Sequence, residues 1–136
     1  MNLAIVATHP VQYHAPWFRL LSAQDDVDLK VYFGLLPDAK EQGLGFDQAF
    51  QWDVPLLEGY SWVELPSSTK DPSLNGFLAN STPDIYKVLK RNKPDVVILT
   101  GWQSLPLLQA YWACKRLNIP MIIRAESNAL RQRKWW

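Results

Sequence analysis

Short apolar runs recur along the chain, and their spacing predicts the strands of a sheet. Continuous apolar runs at 3–7, 96–100 and 121–123 are typical of parallel strands that are buried on both faces. The stretch 27–33 alternates apolar with polar side chains, which indicates a strand with one buried face. A short further strand is expected at 61–65.

Helices are predicted between these strands. The first begins at Pro16, and the second begins at Thr82-Pro83-Asp84 with the Thr82 hydroxyl as its cap. Ser104 is expected to cap a third helix, which ends near Asn118 and Pro120. The buried face predicted for the third helix consists of Leu108, Tyr111 and Trp112.

Alternating strands and helices fold into a parallel sheet with right-handed crossovers. The predicted class is therefore α/β: a Rossmann-like, three-layer parallel sheet of about five or more strands, forming one domain over residues 1–136. Two long loops interrupt this pattern. The apolar content of 34–60 predicts a flap folded over the domain, and the Ser, Asn, Pro and Gly content of 66–81 predicts a mobile loop.

Charge is divided unevenly between the halves of the chain. Residues 1–68 hold 3 Lys and Arg against 9 Asp and Glu, whereas residues 69–136 hold 11 against 4. This polarity is compatible with an anionic ligand, a membrane surface, a partner chain, or attraction between the two halves. The basic, aromatic segment 131–136 adds a candidate surface for docking a partner or an anionic membrane.

Cysteine content and hydropathy predict the compartment. Cys114 is the single cysteine, so an intramolecular disulfide is excluded and a cytoplasmic location is favoured, with peripheral contact at the inner membrane face as the alternative. The apolar neighbours of Cys114 predict a buried structural thiol. No apolar run approaches the length of a membrane span, and nucleic acid is not an expected partner.

Side chains that can recognise a ligand follow the predicted strands at their carboxyl ends. They are His9, Gln12, Tyr13, His14, Trp102, Arg124 and Glu126. Ligands of open α/β sheets bind at this edge, so we expect these side chains to converge on one cleft. Two alternatives stay open: the histidines only tie down the loop backbone, and Arg124 with Glu126 forms a structural ion pair.

The turn after the first strand lacks the marks of common phosphate and metal sites. Neither G-x-G-x-x-G nor G-x-x-x-x-G-K-[ST] occurs, which argues against dinucleotide and P-loop chemistry, although the amides of the first helix could hold one anion. His9 and His14 have no third ligand nearby, so no metal is expected. No serine lies at a G-x-S-x-G elbow, and the catalytic residues remain unassigned.

Several stretches carry a resemblance to a known family. They are AIVATHPVQYHAPWFRLL at 4–21, FQWDVPLLEGY at 50–60, KPDVVILTGWQS at 93–104 and RAES at 124–127. Together they resemble the N-terminal domain of bacterial glycosyltransferases of family 4, which have the GT-B fold. The resemblance implies that the chain is the acceptor-side half of such an enzyme, with the seven ligand-recognising side chains lining the acceptor side of the cleft.

The same resemblance sets the expected reaction and partners. It implies sugar transfer from a nucleotide-sugar co-substrate, with retention at the anomeric carbon and without a bound metal or other cofactor. The donor-binding domain of the family, with its E-x7-E pair, is not in this sequence, so the chain alone is expected to be inactive. Expected partners are a sugar or glycolipid acceptor, a separate donor-binding chain and a second copy of this chain. The alternative is a free-standing Rossmann-like binding or interaction module without transferase activity.

Overall fold

A parallel sheet runs through the described part of the chain. The computed structural model describes residues 1–36 and 55–125. Its strands are β1 (Asn2–Ala7), β2 (Asp28–Phe33), β3 (Trp62–Glu64), β4 (Val96–Leu99) and β5 (Met121–Ile123). They pair in the order β3-β2-β1-β4-β5, and every pairing is parallel. The helices are α1 (Ala15–Ser22), α2 (Ile85–Asn92) and α3 (Leu105–Leu117).

Alternate side chains of β1 enter two separate cores. Leu3 and Ile5 pack with Phe18 of α1 on one face of the sheet. Ala4 and Val6 pack on the other face, in a core to which α2 and α3 contribute. Because both faces of β1 are covered, its sequence is a continuous apolar run. This layering confirms the predicted three-layer α/β class.

The position of β1 in the sheet creates a crevice at one edge. The chain moves outward from β1 through β2 to β3, then crosses back to place β4 on the other side of β1. The connections that leave β1 and β4 therefore diverge at the carboxyl ends of these strands. In open α/β sheets this divergence is where ligands bind. The loops 8–14 and 100–104 flank the crevice.

The buried face of α3 differs from the predicted one. Its buried residues are Pro106, Leu107, Ala110, Ala113 and Cys114. Trp112 is 57% exposed, and Leu108 and Tyr111 are only half-buried, because small side chains form the face that packs on the sheet. Cys114 is buried as predicted, and burial raises the pKa of its thiol to about 11. No helix among the described residues is long and apolar enough to cross a bilayer.

Two strands depart from their predicted exposure. The alternation in β2 places Tyr32 on the solvent face, yet Tyr32 is fully buried because α2 and α3 cover that face. The apolar run of β5 predicts burial on both faces, but Ile122 and Ile123 are exposed. β5 is the last strand at its side of the described sheet, and only β4 pairs with it there.

The start of α2 also differs from the prediction. The helix begins at Ile85, and the Thr82 hydroxyl is buried without a hydrogen-bond partner among the described residues. The Thr82 amide instead donates to Oε1 of Gln109 in α3, at 2.7 Å. Asp84 occupies the cap position, and no side chain makes a cap bond there, so the predicted Thr82 cap is not formed. Asp84 pairs with Lys87 one turn later, at 2.8 Å.

The described end of the predicted flap lies against α1. Arg19 donates from Nε to the carbonyl of Glu58, at 2.9 Å, and from its terminal nitrogen to the carbonyl of Pro55. Leu57 packs on the core beneath α1. The segment 55–60 is therefore attached to the domain, and the remaining flap residues, 37–54, lie outside the described residues.

Candidate functional site

The carboxyl edge of the sheet holds the predicted site residues that the structure describes. His9 and His14 lie in the loop after β1, Trp102 lies in the loop after β4, and Arg124 follows β5. The Arg124 amide donates to the carbonyl of Leu99, at 2.9 Å, which fixes its backbone beside the end of β4. Glu126 lies outside the described residues, and so does its expected pairing with Arg124.

The loop after β1 turns directly into α1. The Val11 carbonyl accepts hydrogen bonds from the amides of His14, at 3.1 Å, and Ala15, at 3.4 Å. Gln12 and Tyr13 are exposed at this turn. The Tyr13 ring lies edge-on to the His14 ring, with 4.7 Å between centroids. The turn therefore separates an outer pair, Gln12 and Tyr13, from a buried His14.

His14 is a buried, neutral histidine. It is 7% exposed, and its ring packs edge-on to Trp17 with 5.7 Å between centroids. Burial, followed by the positive charge of Arg124 and then that of His9, lowers the pKa of His14 to about 4. His14 and the Arg124 guanidinium both contact the Trp17 ring, at 5.7 Å and 5.6 Å from its centroid. Nδ1 of His14 is buried and has no hydrogen-bond partner among the described residues.

The Arg124 side chain packs against the Trp17 ring at this edge. The guanidinium carbon of Arg124 lies 5.6 Å from the centroid of the Trp17 ring, within the range of a cation–π interaction. Nε1 of Trp17 is buried, and none of the described residues bonds to it. The edge thus combines a guanidinium with a buried imidazole nitrogen and a buried indole N–H that have no hydrogen-bond partner among the described residues.

A cavity of about 580 Å³ opens beside His9, and we call it the edge cavity. Its lining residues are Thr8, His9, Ser73, Leu74, Gly76, Phe77, Asn80, Gln103, Ser104 and Pro106. The volume falls within the range typical of small-molecule sites. Oγ1 of Thr8 lies 2.9 Å from Nδ1 of His9, and burial lowers the pKa of His9. His9 therefore presents a neutral imidazole at physiological pH.

Asn80 fixes one wall of the edge cavity. Nδ2 of this buried residue donates to the Gly34 carbonyl, at 2.6 Å, and Oδ1 accepts from Oγ of Ser67 and the amide of Ser81, each at 2.7 Å. Gly34 itself allows close approach, because a Cβ there would lie 3.3 Å from the Thr8 carbonyl oxygen. The segment predicted to be a mobile loop is thus bonded at its base to the end of β2.

The loop after β4 forms the opposite wall. Gly101 has φ +137°, and a Cβ on it would overlap the Gln103 side chain, so the turn requires glycine. Trp102 is 54% exposed on this turn. Ser104 occupies the cap position of α3 as predicted, but its hydroxyl makes no cap bond; it is buried and has no partner in the described part of the chain.

Sequence reasoning missed several residues of the edge cavity. Asn80 and Phe77 lie in a loop that composition marks only as polar, and the sequence pattern marks Ser104 only as a helix cap. An isolated aromatic residue in a Ser- and Asn-rich loop is the available signal for Phe77. Asn80 gives no such signal, because its partner Gly34 lies 46 positions away along the chain.

Comparison of the chain with protein-family models and with curated proteins gave no match. The resemblance to glycosyltransferases therefore depends on the sequence stretches quoted above, and the site is interpreted from its geometry. Within residues 1–36 and 55–125, no three His, Cys, Asp or Glu side chains gather as a metal site would require. That the protein works without a metal stays a prediction.

Proposed function

We propose that this chain is the acceptor-binding domain of a retaining, nucleotide-sugar-dependent glycosyltransferase. The observation that carries the proposal is the carboxyl edge, where the edge cavity lies beside His9, with His14 and Arg124 close by. This edge flanks the point at which the connections from β1 and β4 diverge, which is where open α/β sheets bind ligands. The sequence resemblance supplies the reaction class, and the cavity supplies a place for the acceptor.

His9 is the side chain best suited to meet an acceptor hydroxyl. Its contact with Thr8 engages Nδ1, which orients the ring and leaves Nε2 for a ligand. A neutral imidazole nitrogen can accept a hydrogen bond from a sugar hydroxyl, and can take its proton as that oxygen becomes a nucleophile. The lowered pKa of His9 keeps the ring neutral at pH 7 and favours this role.

Arg124 supplies positive charge at the same edge. Its guanidinium is held over the Trp17 ring, so less side-chain freedom remains to be lost when a ligand binds. A positioned cation stabilises negative charge on a substrate oxygen, as sugar transfer from a nucleotide donor requires. We assign Arg124 to an anionic group of the nucleotide-sugar donor, outside the edge cavity, and leave the catalytic residue open.

The test is a titration of the isotopically labelled protein with neutral methyl glycosides, followed by NMR. We expect shifts in the backbone amide signals of Phe77, Gln103 and Ser104, which line the edge cavity, and none in the backbone amide signal of Tyr32. His9→Gln should weaken binding about fivefold, the loss typical of one hydrogen bond. Gln24→Ala, an exposed change beyond the end of α1, is the control. Absence of carbohydrate binding, or shifts confined to the opposite edge of the sheet, would contradict the proposal.

A further inference from the structure

We infer that the edge cavity selects an uncharged, hydroxyl-rich ring, so that the acceptor is a neutral pyranose and not a sugar acid or a sugar phosphate. This inference rests on the proposed function and specifies the class of its acceptor. It follows from three properties of the cavity: the charge of its lining residues, the hydrogen bonding of the backbone amides at the start of α3, and the polar and aromatic groups that face a ligand.

The described residues that line the edge cavity carry no permanent charge. Among its described lining residues there is no Lys, Arg, Asp or Glu. His9 is the one histidine among them, and burial lowers its pKa. An anion that entered the cavity would lose hydration without gaining a counter-charge from the wall, which is costly. Arg124 lies near His14 and does not line the cavity.

The start of α3 is poorly suited to hold a phosphate. Anions bind at helix starts through backbone N–H groups of the first turn. Here the Leu105 amide already donates to the Phe77 carbonyl, at 2.9 Å, and Pro106 has no N–H to offer. The Leu108 amide is bonded to the Ser104 carbonyl, at 3.2 Å. Most of the donors that an anion would need are therefore occupied or absent.

The remaining groups match a neutral sugar. Oγ of Ser104 is buried without a partner among the described residues, and a hydroxyl can both donate to and accept from a sugar hydroxyl. Phe77 is 43% exposed and lines the cavity, so its ring can cover the apolar C–H face of a pyranose. The hydrogen bond from Leu105 holds the Phe77 backbone in place. Gln103 contributes an amide to the same wall.

The experiment compares ligands that differ only in charge. Methyl β-glucopyranoside and methyl β-galactopyranoside are each titrated against the protein beside the corresponding uronate, and inorganic phosphate is titrated alone. We expect each neutral glycoside to bind about tenfold more tightly than its uronate, because the carboxylate is not compensated. Phosphate should leave the amide signals at the start of α3 unshifted.

Variants locate the bound ring. Ser104→Ala and Phe77→Ala should each weaken binding of the neutral glycoside about fivefold. Asn75→Ala, an exposed change in the same loop outside the cavity lining, should leave it unchanged. Thermal melting of each variant separates lost binding from lost folding.

The outcomes distinguish this inference from the proposed function. Tighter binding of a uronate or of phosphate overturns the neutral-ring inference while leaving an acceptor domain standing. The neutral-ring inference is also overturned if carbohydrate binding shifts the Trp17 indole signal but Ser104→Ala and Phe77→Ala leave the affinity unchanged. If no carbohydrate binds at all, the proposed function itself fails and the inference fails with it.

Discussion

The polar side chains at the two edges of the sheet are satisfied to different degrees. At the amino edge, Nδ2 of Asn92 donates to the hydroxyl of buried Tyr32, at 2.5 Å. Nearby, Nζ of Lys30 donates to Oγ of Ser61, at 2.8 Å. All four residues line a cavity of about 340 Å³, so this edge also has space for a small molecule. Its polar groups, however, bond to one another.

The carboxyl edge leaves polar atoms unsatisfied. Nδ1 of His14, Nε1 of Trp17 and Oγ of Ser104 are buried, and none has a hydrogen-bond partner in the described residues. A buried polar atom without a partner costs roughly 1–3 kcal/mol, and proteins contain few of them. Both edges therefore offer a cavity, but the unsatisfied atoms lie at the carboxyl edge, which is the edge proposed to bind the acceptor. The predictions below test this contrast.

The largest expected effect comes from Asn80, a carboxyl-edge residue whose side chain is fully bonded. Asn80→Ala removes the bonds to Gly34, Ser67 and Ser81 and should lower the free energy of unfolding by about 3 kcal/mol. Urea denaturation measures this loss, with Asn75→Ala as the exposed control. A loss below about 1 kcal/mol would show that Asn80 does not hold the cavity wall.

Acidification should reveal the buried state of His14. Its pKa is about 4 in the folded protein, against an ordinary value of 6.5 that unfolding restores, so the unfolded chain binds a proton first as the pH falls below 6.5. The free energy of unfolding should therefore drop by about 3 kcal/mol from pH 7 to pH 4 and level off below that. His14→Gln should reduce this pH dependence, measured by denaturation at each pH. His9 shifts in the same direction, so some slope should remain.

Tyr32→Phe tests the structural role of the amino edge. Removing the hydroxyl leaves Asn92 without this partner and should lower stability by about 1 kcal/mol. Glycoside affinity should not change, since the Tyr32 hydroxyl bonds to Asn92 at the amino edge and Tyr32 does not line the edge cavity. A loss of affinity in this variant, measured by calorimetric titration, would remove the distinction between the two edges.

The smallest loss of stability is expected at Ser104. Because its hydroxyl is buried without a partner among the described residues, Ser104→Ala should not lower the free energy of unfolding and should raise it by about 1 kcal/mol. Ser67→Ala is the matched control, since Oγ of Ser67 donates to Asn80 and its loss should cost about 1 kcal/mol. Chemical denaturation of both variants compares them. Equal losses would mean that Ser104 is structurally bonded after all.

The fold could be predicted because a strand that is buried on both faces has a continuous run of apolar residues. The apolar run at 3–7 corresponds to β1 (Asn2–Ala7), and the run at 96–100 corresponds to β4 (Val96–Leu99). Helix caps were predicted less well. A cap is a local pattern, but the Thr82 hydroxyl makes no cap bond, and the Thr82 amide donates to Gln109, which lies in another helix. The local sequence pattern therefore predicts the helices and strands more accurately than it predicts the residues that cap them.

The candidate site could be predicted in position but not in composition. The rule that parallel strands share a carboxyl edge was enough to group His9, His14 and Arg124. The stacking of Arg124 on Trp17 joins residues more than a hundred positions apart, and neither carries a local signal for the other. Residues that pair only through tertiary structure are thus the part of the site that sequence reasoning could not supply.

Gly34 lies where several backbone segments around the edge cavity meet. A Cβ on Gly34 would lie 3.3 Å from the Thr8 carbonyl oxygen and 3.4 Å from Cβ of Pro106. The Gly34 carbonyl accepts a hydrogen bond from Asn80, so the loops that carry these residues approach one another at Gly34. The spacing of the walls is set there by backbone, whereas Phe77 and Gln103 only face the interior. Substitutions at Phe77 and Gln103 therefore change the groups that face the cavity and leave the backbone contacts around Gly34 in place.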